Sequence, residues 1–220
     1  MQLSVPDAAR LLQVPEDTIH KWIRDRGLPA SLFDGRYHLN KVWLLEWAHD
    51  KGIPLSMDTG EQLPSLASAL GQGGVLFDVP GAAKHELLRA CVERLPLAPE
   101  VDRGYLFEML WMRENQGSTG FGGGIALPHA RGPILLHVPA SFVTLCYPRA
   151  PVEFGAPDGK PVFALFIQVT PTIRMHLHLL SRLGRVLQDA ALQALVREHA
   201  ALAPLLERVR SLESAAPAKP

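Results

Sequence analysis

Only two cysteines, Cys91 and Cys146, occur in 220 residues, each alone in an apolar segment with no C-x-x-C spacing. A disulfide framework and a cysteine zinc site are thereby excluded, and two buried thiols are expected. No apolar run approaches the roughly eighteen residues of a membrane span, and the opening MQLSVPDAARLL has no basic region followed by an apolar core and a cleavage site. The chain is expected to stay in the cytoplasm, without membrane insertion. Excess charge of either sign is lacking too, with 22 Lys and Arg against 22 Asp and Glu. No whole-molecule field draws in nucleic acid, so any DNA binding has to use a local patch. Aromatics are few, at 7 %, but a hydrophobic content of 47 % is that of ordinary globular protein.

The first fifty residues read as helix, turn, helix, hairpin, helix. Ser4 is a plausible N-cap before the apolar pattern Val5, Ala8, Ala9, Leu11, Leu12. Pro15-Glu16-Asp17 opens a second helix, since proline in the first turn and acids near the N-terminus suit helix geometry and dipole. Ile19, Trp22 and Ile23 form its buried face. Gly27 and Pro29 stop it, and Asp34-Gly35 turns a hairpin between 30–33 and 36–39. Asn40 can cap a third helix carrying Val42, Leu44, Leu45 and Trp47. The domain boundaries expected are 1–52 for this module, 53–62 for a linker of Gly, Pro, Ser, Asp and Thr, 63–212 for a second domain, and 213–220 for a disordered tail.

In the second domain helical stretches, 82–95 and 104–113, interleave with strand-like runs at 125–127, 134–138, 142–147 and 162–169, followed by helical patterns at 172–187 and onward to about Leu212. This implies a layered α/β domain with helices on a sheet.

The segment SVPDAARLLQVPEDTIHKWIRDRGLPASLFDGRYHLNKVWLLEWA resembles the excisionase and MerR type of winged helix-turn-helix domain over nearly its whole length. The resemblance implies a second helix in the major groove with Thr18, His20, Lys21 and Arg24 facing out, and Arg26 and Arg36 reaching flanking phosphates. Residues 1–52 hold seven basic and seven acidic side chains. One copy would therefore bind weakly, and a homodimer is expected if DNA is the target.

The most informative stretch is WMRENQGSTGFGGGIALPHARG, residues 111–132. An arginine and a glycine-rich loop lead through a strand-like GIAL into Pro128-His129. Glycines let backbone N–H groups approach phosphoryl oxygens, and a neutral imidazole is a competent nucleophile for phosphorus near pH 7. The pattern REN-x-GSTG-x-GGGIALPHAR resembles the signature of enzyme IIA of the phosphotransferase system, of the fructose/mannitol and nitrogen-regulatory class. PVEFGAPDGKPVFALFIQV and HLHLLSRLGRVL continue that resemblance to about Leu212.

The resemblance implies a mixed sheet flanked by helices, a phosphorylated histidine at His129, and Arg113 and His176 at the family's active-site arginine and second histidine. Phosphoryl transfer between nitrogens spreads negative charge over three oxygens, which a guanidinium and an imidazole N–H complement. His178 lies two residues from His176 on one helix and so faces elsewhere. Two positions depart from the family: Ala130 stands where Pro-His-Gly is usual, and Gly123 where a polar residue is usual. Ala130 would be strained if its site needs positive φ.

The implied function is a histidine phosphocarrier and regulator, rather than a stand-alone catalyst, that takes its phosphoryl group from a histidine-containing phosphocarrier protein. No metal is expected, because no H-E-x-x-H or matching carboxylate spacing supports one, and no cofactor beyond the transient phosphohistidine. The alternatives are a sugar-uptake component passing phosphate to a IIB protein, and a non-phosphorylated transcription factor using the IIA-like fold as a sensor.

Overall fold

The computed structural model describes residues 2–12, 14–33, 35–51, 53, 63–130, 138 and 140–215. The expected linker from 54 to 62, the strand-like run at 134–137, Asp34 of the hairpin turn and the tail from 216 lie outside the described residues. The chain divides into two units, residues 1–62 and 63–220, each described here by itself.

The N-terminal unit contains β1 (Gln2–Ser4), α1 (Val5–Leu12), α2 (Glu16–Asp25), β2 (Ser31–Phe33), β3 (Arg36–Asn40) and α3 (Lys41–Asp50). Ser4 caps α1 reciprocally with Asp7. The Asp7 N–H donates to Ser4 Oγ at 3.3 Å, and the Ser4 N–H donates to Asp7 Oδ2 at 3.2 Å, so two otherwise unpaired backbone donors are met within one turn. Ser4 also closes β1, a strand the sequence pattern does not announce. β1 and β2 flank β3 in a three-stranded antiparallel sheet. Ile19, Leu39, Leu44 and Ala48 are fully enclosed in its small core. Trp47 ties α3 to the end of α2, donating from its indole N–H to the Arg26 carbonyl at 3.0 Å.

The C-terminal unit runs α4 (Leu66–Gly73), β4 (Val75–Val79), α5 (Lys84–Arg94), α6 (Arg103–Asn115), β5 (Gly120–Gly122), β6 (Ile125–Ala126), β7 (Phe142–Pro148), β8 (Ala164–Val169), α7 (Ile173–Val186), α8 (Ala190–Arg197) and α9 (Leu202–Ser214). Its five-stranded sheet has the order β4-β7-β8-β6-β5. β4 with β7 and β6 with β8 are parallel, while β7 with β8 and β5 with β6 are antiparallel. The mixed sheet is the one expected.

β7 and β8 are buried along their whole length, as a sheet covered on both faces requires. Alternate side chains go to opposite layers. Phe142, Cys146, Leu165 and Ile167 meet α5 and α6, while Val143, Leu145, Tyr147 and Phe166 meet α4, α7, α8 and α9.

Two sequence expectations change at the C-terminus. The helical pattern after α7 is split into α8 and α9, with His199 between them at φ 52, in the left-handed region that ends a helix. Residues 213 and 214, expected in the tail, belong to α9, which continues through Ser214. Glu213 is anchored there, accepting the N–H groups of Leu66 and Ala67 at the start of α4 at 2.8 and 3.1 Å and pairing with Arg182 at 3.0 Å. A carboxylate at a helix N-terminus satisfies donors that the helix itself cannot.

Candidate functional site

β6 delivers Leu127, Pro128 and His129 to the end of the sheet, where His129 bridges to Gln168 of β8 and the Gln168 N–H donates to the Pro128 carbonyl at 3.2 Å. His129 Nδ1 stands 2.7 Å from the Leu127 carbonyl. A carbonyl only accepts, so Nδ1 carries the proton and Nε2 keeps its lone pair. Burial lowers the pKa of His129 below its ordinary 6.5, and the Arg113 charge adds to this, while the Leu127 bond and Glu114 oppose it. The ring is neutral at pH 7.

His176 comes from the first turns of α7, whose start is set by Thr172: its hydroxyl accepts the Met175 N–H at 3.3 Å. The rings of His129 and His176 lie 5.1 Å apart between centroids. Burial, then His129, then Arg113 push the pKa of His176 down to about 4. Gln168 holds the ring, its Nε2 lying 3.1 Å from His176 Nδ1 and 2.8 Å from the His176 carbonyl oxygen.

Arg113 lies in the last turn of α6, and its guanidinium donates to the Gly117 carbonyl at 2.8 Å. Its charge reaches both histidines. The next residue, Glu114, is buried and holds the glycine loop in place: its carboxylate accepts the Thr119 N–H at 2.9 Å and hydroxyl at 2.5 Å and pairs with Lys84 at 2.9 Å. Lys84 also donates to the Phe154 carbonyl at 2.8 Å, and Ser118 Oγ donates to the same oxygen at 2.7 Å. Glycine is required at 120 by close approach, since a Cβ there would lie 2.6 Å from that of Ala156.

The two departures from the family pattern are accommodated. Among the described residues only Asp78 and His199 are non-glycine positions with positive φ, so Ala130 sits unstrained, buried in the α5/α6 layer. Gly123, at φ +64, has open space where a side chain would stand, and its N–H donates to Asp158 at 2.8 Å.

His178 points away from this cluster, with Nε2 3.1 Å from the Pro64 carbonyl. In the N-terminal unit, Lys21, Arg24, Arg26 and Arg36 are exposed, while Thr18 and His20 are half-buried. On α2 Lys21 and Arg24 fall on the side opposite Ile19, which is fully enclosed, while Thr18 and His20 flank it. His20 leans on the hairpin, its ring 5.7 Å from that of Tyr37.

Gln168 and Glu114 are the residues that motif reading passed over. The signal for Gln168 was one polar residue in the otherwise apolar ALFIQV of β8. Glu114 stands inside the REN-x-GSTG motif, which marks the position without giving the carboxylate a role.

A helix-turn-helix unit and an α/β domain with an imidazole pair beside a glycine loop together define a two-part protein of the IIA class. The sequence profile described as "Phosphoenolpyruvate-dependent sugar phosphotransferase system, EIIA 2" matches residues 70–204, and that of a helix-turn-helix domain matches residues 3–53. The chain belongs to the EIIA 2 family. It is 37 % identical over 145 residues to the nitrogen regulatory protein of Pseudomonas aeruginosa, a match covering 64 % of this chain and 90 % of that protein. With the nitrogen regulatory protein of Escherichia coli K12 it shares 38 % identity over 100 residues, 44 % of this chain and 57 % of the relative. The crystal structure of nitrogen regulatory protein IIA-Ntr from Neisseria meningitidis superposes with a TM-score of 0.54 at 28 % identity, over 62 % of this chain and 92 % of that one. Among the described residues no helix is long and apolar enough to cross a membrane.

Proposed function

We propose that this chain is a phosphorylation-responsive regulator in which His129 Nε2 takes a phosphoryl group from a histidine-containing phosphocarrier protein, and a DNA-binding N-terminal unit reads out the state. The observation that carries the reading is the 2.7 Å contact of His129 Nδ1 with the Leu127 carbonyl. It commits the proton to Nδ1 and leaves the Nε2 lone pair as nucleophile.

In the transfer, Nε2 forms a bond to phosphorus as the donor's N–P bond breaks, and the donor imidazole leaves with that electron pair. The proton stays on Nδ1, donated to the Leu127 carbonyl throughout, so His129 needs no general base. Arg113 and His176 complement the charge on the equatorial oxygens. The similarity to nitrogen regulatory proteins favours regulation over sugar uptake as the output. The added charge, close to −2 at neutral pH, would act on protein contacts or on the affinity of the N-terminal unit for DNA.

The test incubates the full chain with enzyme I, the cognate carrier and phosphoenolpyruvate, and follows an acid-labile phosphoryl group by mass spectrometry. Uptake by the wild type and none by His129→Ala is expected. No uptake from an active donor system would overturn the reading in favour of a non-phosphorylated sensor. Rapid onward transfer to a IIB protein, together with no DNA binding, would place the chain in sugar uptake.

A further inference from the structure

Gln168, 3 % exposed, touches His176 and pairs with His129 across the sheet. The orientation of its amide leaves no choice. The group 2.8 Å from the His176 carbonyl oxygen has to be a donor, so the nitrogen and not the oxygen occupies that place. The same nitrogen is 3.1 Å from His176 Nδ1. An amide nitrogen only donates, so Nδ1 is the lone-pair nitrogen of that ring and the proton sits on Nε2.

His129 is set the other way round, with its proton on Nδ1 against Leu127. The neighbouring rings therefore hold opposite tautomers: the nitrogen left over on His129 is a lone pair, and the nitrogen left over on His176 is an N–H. The arrangement leaves Gln168 Oε1 buried with no hydrogen-bond partner among the described residues. A buried acceptor in that condition persists only where the surroundings over-determine the side chain, and such groups gather at functional sites.

We propose that Gln168 is a positioning residue that fixes His176 as its neutral Nε2–H tautomer and opposes a second proton at Nδ1. His176 then donates a hydrogen bond to the phosphoryl group on His129 without becoming an imidazolium. The functional meaning rests on His129 being the phosphoryl acceptor; the tautomer itself does not. The charged and titratable groups acting on the His176 ring are His129 and Arg113. A phosphoryl dianion on His129 would draw a second proton onto a free neighbouring imidazole, and Gln168 sets a donor where that proton would sit. With His176 neutral in both states, the phosphoryl group arrives and departs with no proton to be returned.

The test is nitrogen NMR of the imidazole rings in the full-length 15N-labelled chain, from about pH 5 to 8, the range over which histidine ordinarily changes charge. In the unphosphorylated wild type His176 is expected wholly as Nε2–H. In Gln168→Leu it should become a mixture of tautomers, and after phosphorylation of His129 it should take up the second proton that the wild type refuses at pH 7. Gln168→Glu should accept from Nδ1–H and make His176 an imidazolium. Phosphoryl uptake by Gln168→Leu should slow about tenfold, the equivalent of one hydrogen bond. A wild type with the proton on Nδ1, or a Gln168→Leu chain with an unaltered tautomer and titration, would overturn the proposal. The wild-type spectrum decides whether or not the variants fold. A wild type that shows the expected tautomer but takes no phosphoryl group sinks the phosphocarrier reading and leaves the positioning role standing.

Discussion

Lys84 and Glu114 meet at 2.9 Å with the glutamate side chain wholly enclosed and the lysine side chain a quarter exposed. The asymmetry matters, because the lysine can turn to water if its partner is lost, whereas the glutamate cannot. Glu114 also holds both polar groups of Thr119 at the root of the glycine loop. Breaking a buried pair by removing one partner costs about 3–5 kcal/mol. Lys84→Met, which strands the enclosed carboxylate, is expected to lose stability in that range, read by denaturant unfolding, and to loosen the loop that Glu114 holds. A loss under about 1 kcal/mol would show that the loop is held by its own backbone instead.

The two histidines of α7 should separate cleanly in function. If His129 is the phosphoryl acceptor, His176→Ala removes a donor beside the phosphoryl group, and loss of one such donor typically slows a reaction by about 10²- to 10³-fold. His178 faces Pro64, away from His129, so His178→Ala should leave phosphoryl uptake within about twofold and cost at most the hydrogen bond, on the order of 1 kcal/mol. Uptake rates from a saturating carrier distinguish the two. Equal damage from both substitutions would contradict the placement of the rings.

Acid should weaken the C-terminal unit through His176. Its folded pKa, about 4, lies below the ordinary 6.5 because burial, His129 and Arg113 all disfavour the charged ring. The unfolded chain takes up a proton that the folded one refuses, so the contribution is fully present above about pH 6.5 and is lost as pH falls toward 4. A shift of this size corresponds to roughly 3 kcal/mol. Urea unfolding at pH 7.5 and 4.5 should show the wild type losing more stability between the two conditions than His176→Gln, which has no such proton to refuse. Equal losses would mean that His176 is charged in the folded state.

Much of the site was legible because its chemistry is local in sequence. The loop from Gly117 to Gly124 and the Pro128-His129 step are contiguous, and the helix with His176 has a clear apolar period at Leu179, Leu183 and Val186. The partners supplied by the fold were not legible. Gln168 reaches His176 only because β8 runs directly into α7, and Glu114 finds Lys84 across 30 residues. Short or strained elements were missed for a different reason. β1 and β5 have three residues each, too few for a period to register, and β5 is GFG, a composition that reads as loop. The boundary between α8 and α9 depends on a left-handed His199, a conformation that no pattern of apolar residues encodes.

The cationic side of the N-terminal unit offers the sharpest test of DNA binding, because net neutrality makes each local charge count. Lys21, Arg24, Arg26 and Arg36 are exposed. Each phosphate neutralised contributes about −0.9 to the slope of log affinity against log salt. If Arg24 contacts a phosphate, Arg24→Ala should weaken binding to every sequence alike and reduce the slope by about 1. If it reads a base edge, the slope should stay unchanged while discrimination falls by roughly 1–3 kcal/mol at one base pair. Lys21→Ala, one turn earlier on the same side of α2, should act in the same sense. The measurement is fluorescence anisotropy of the full chain with duplex DNA across a salt series. Binding absent even at about 50 mM salt, where phosphate contacts are strongest, would leave these side chains as the solvated face of a domain that recognises something other than nucleic acid.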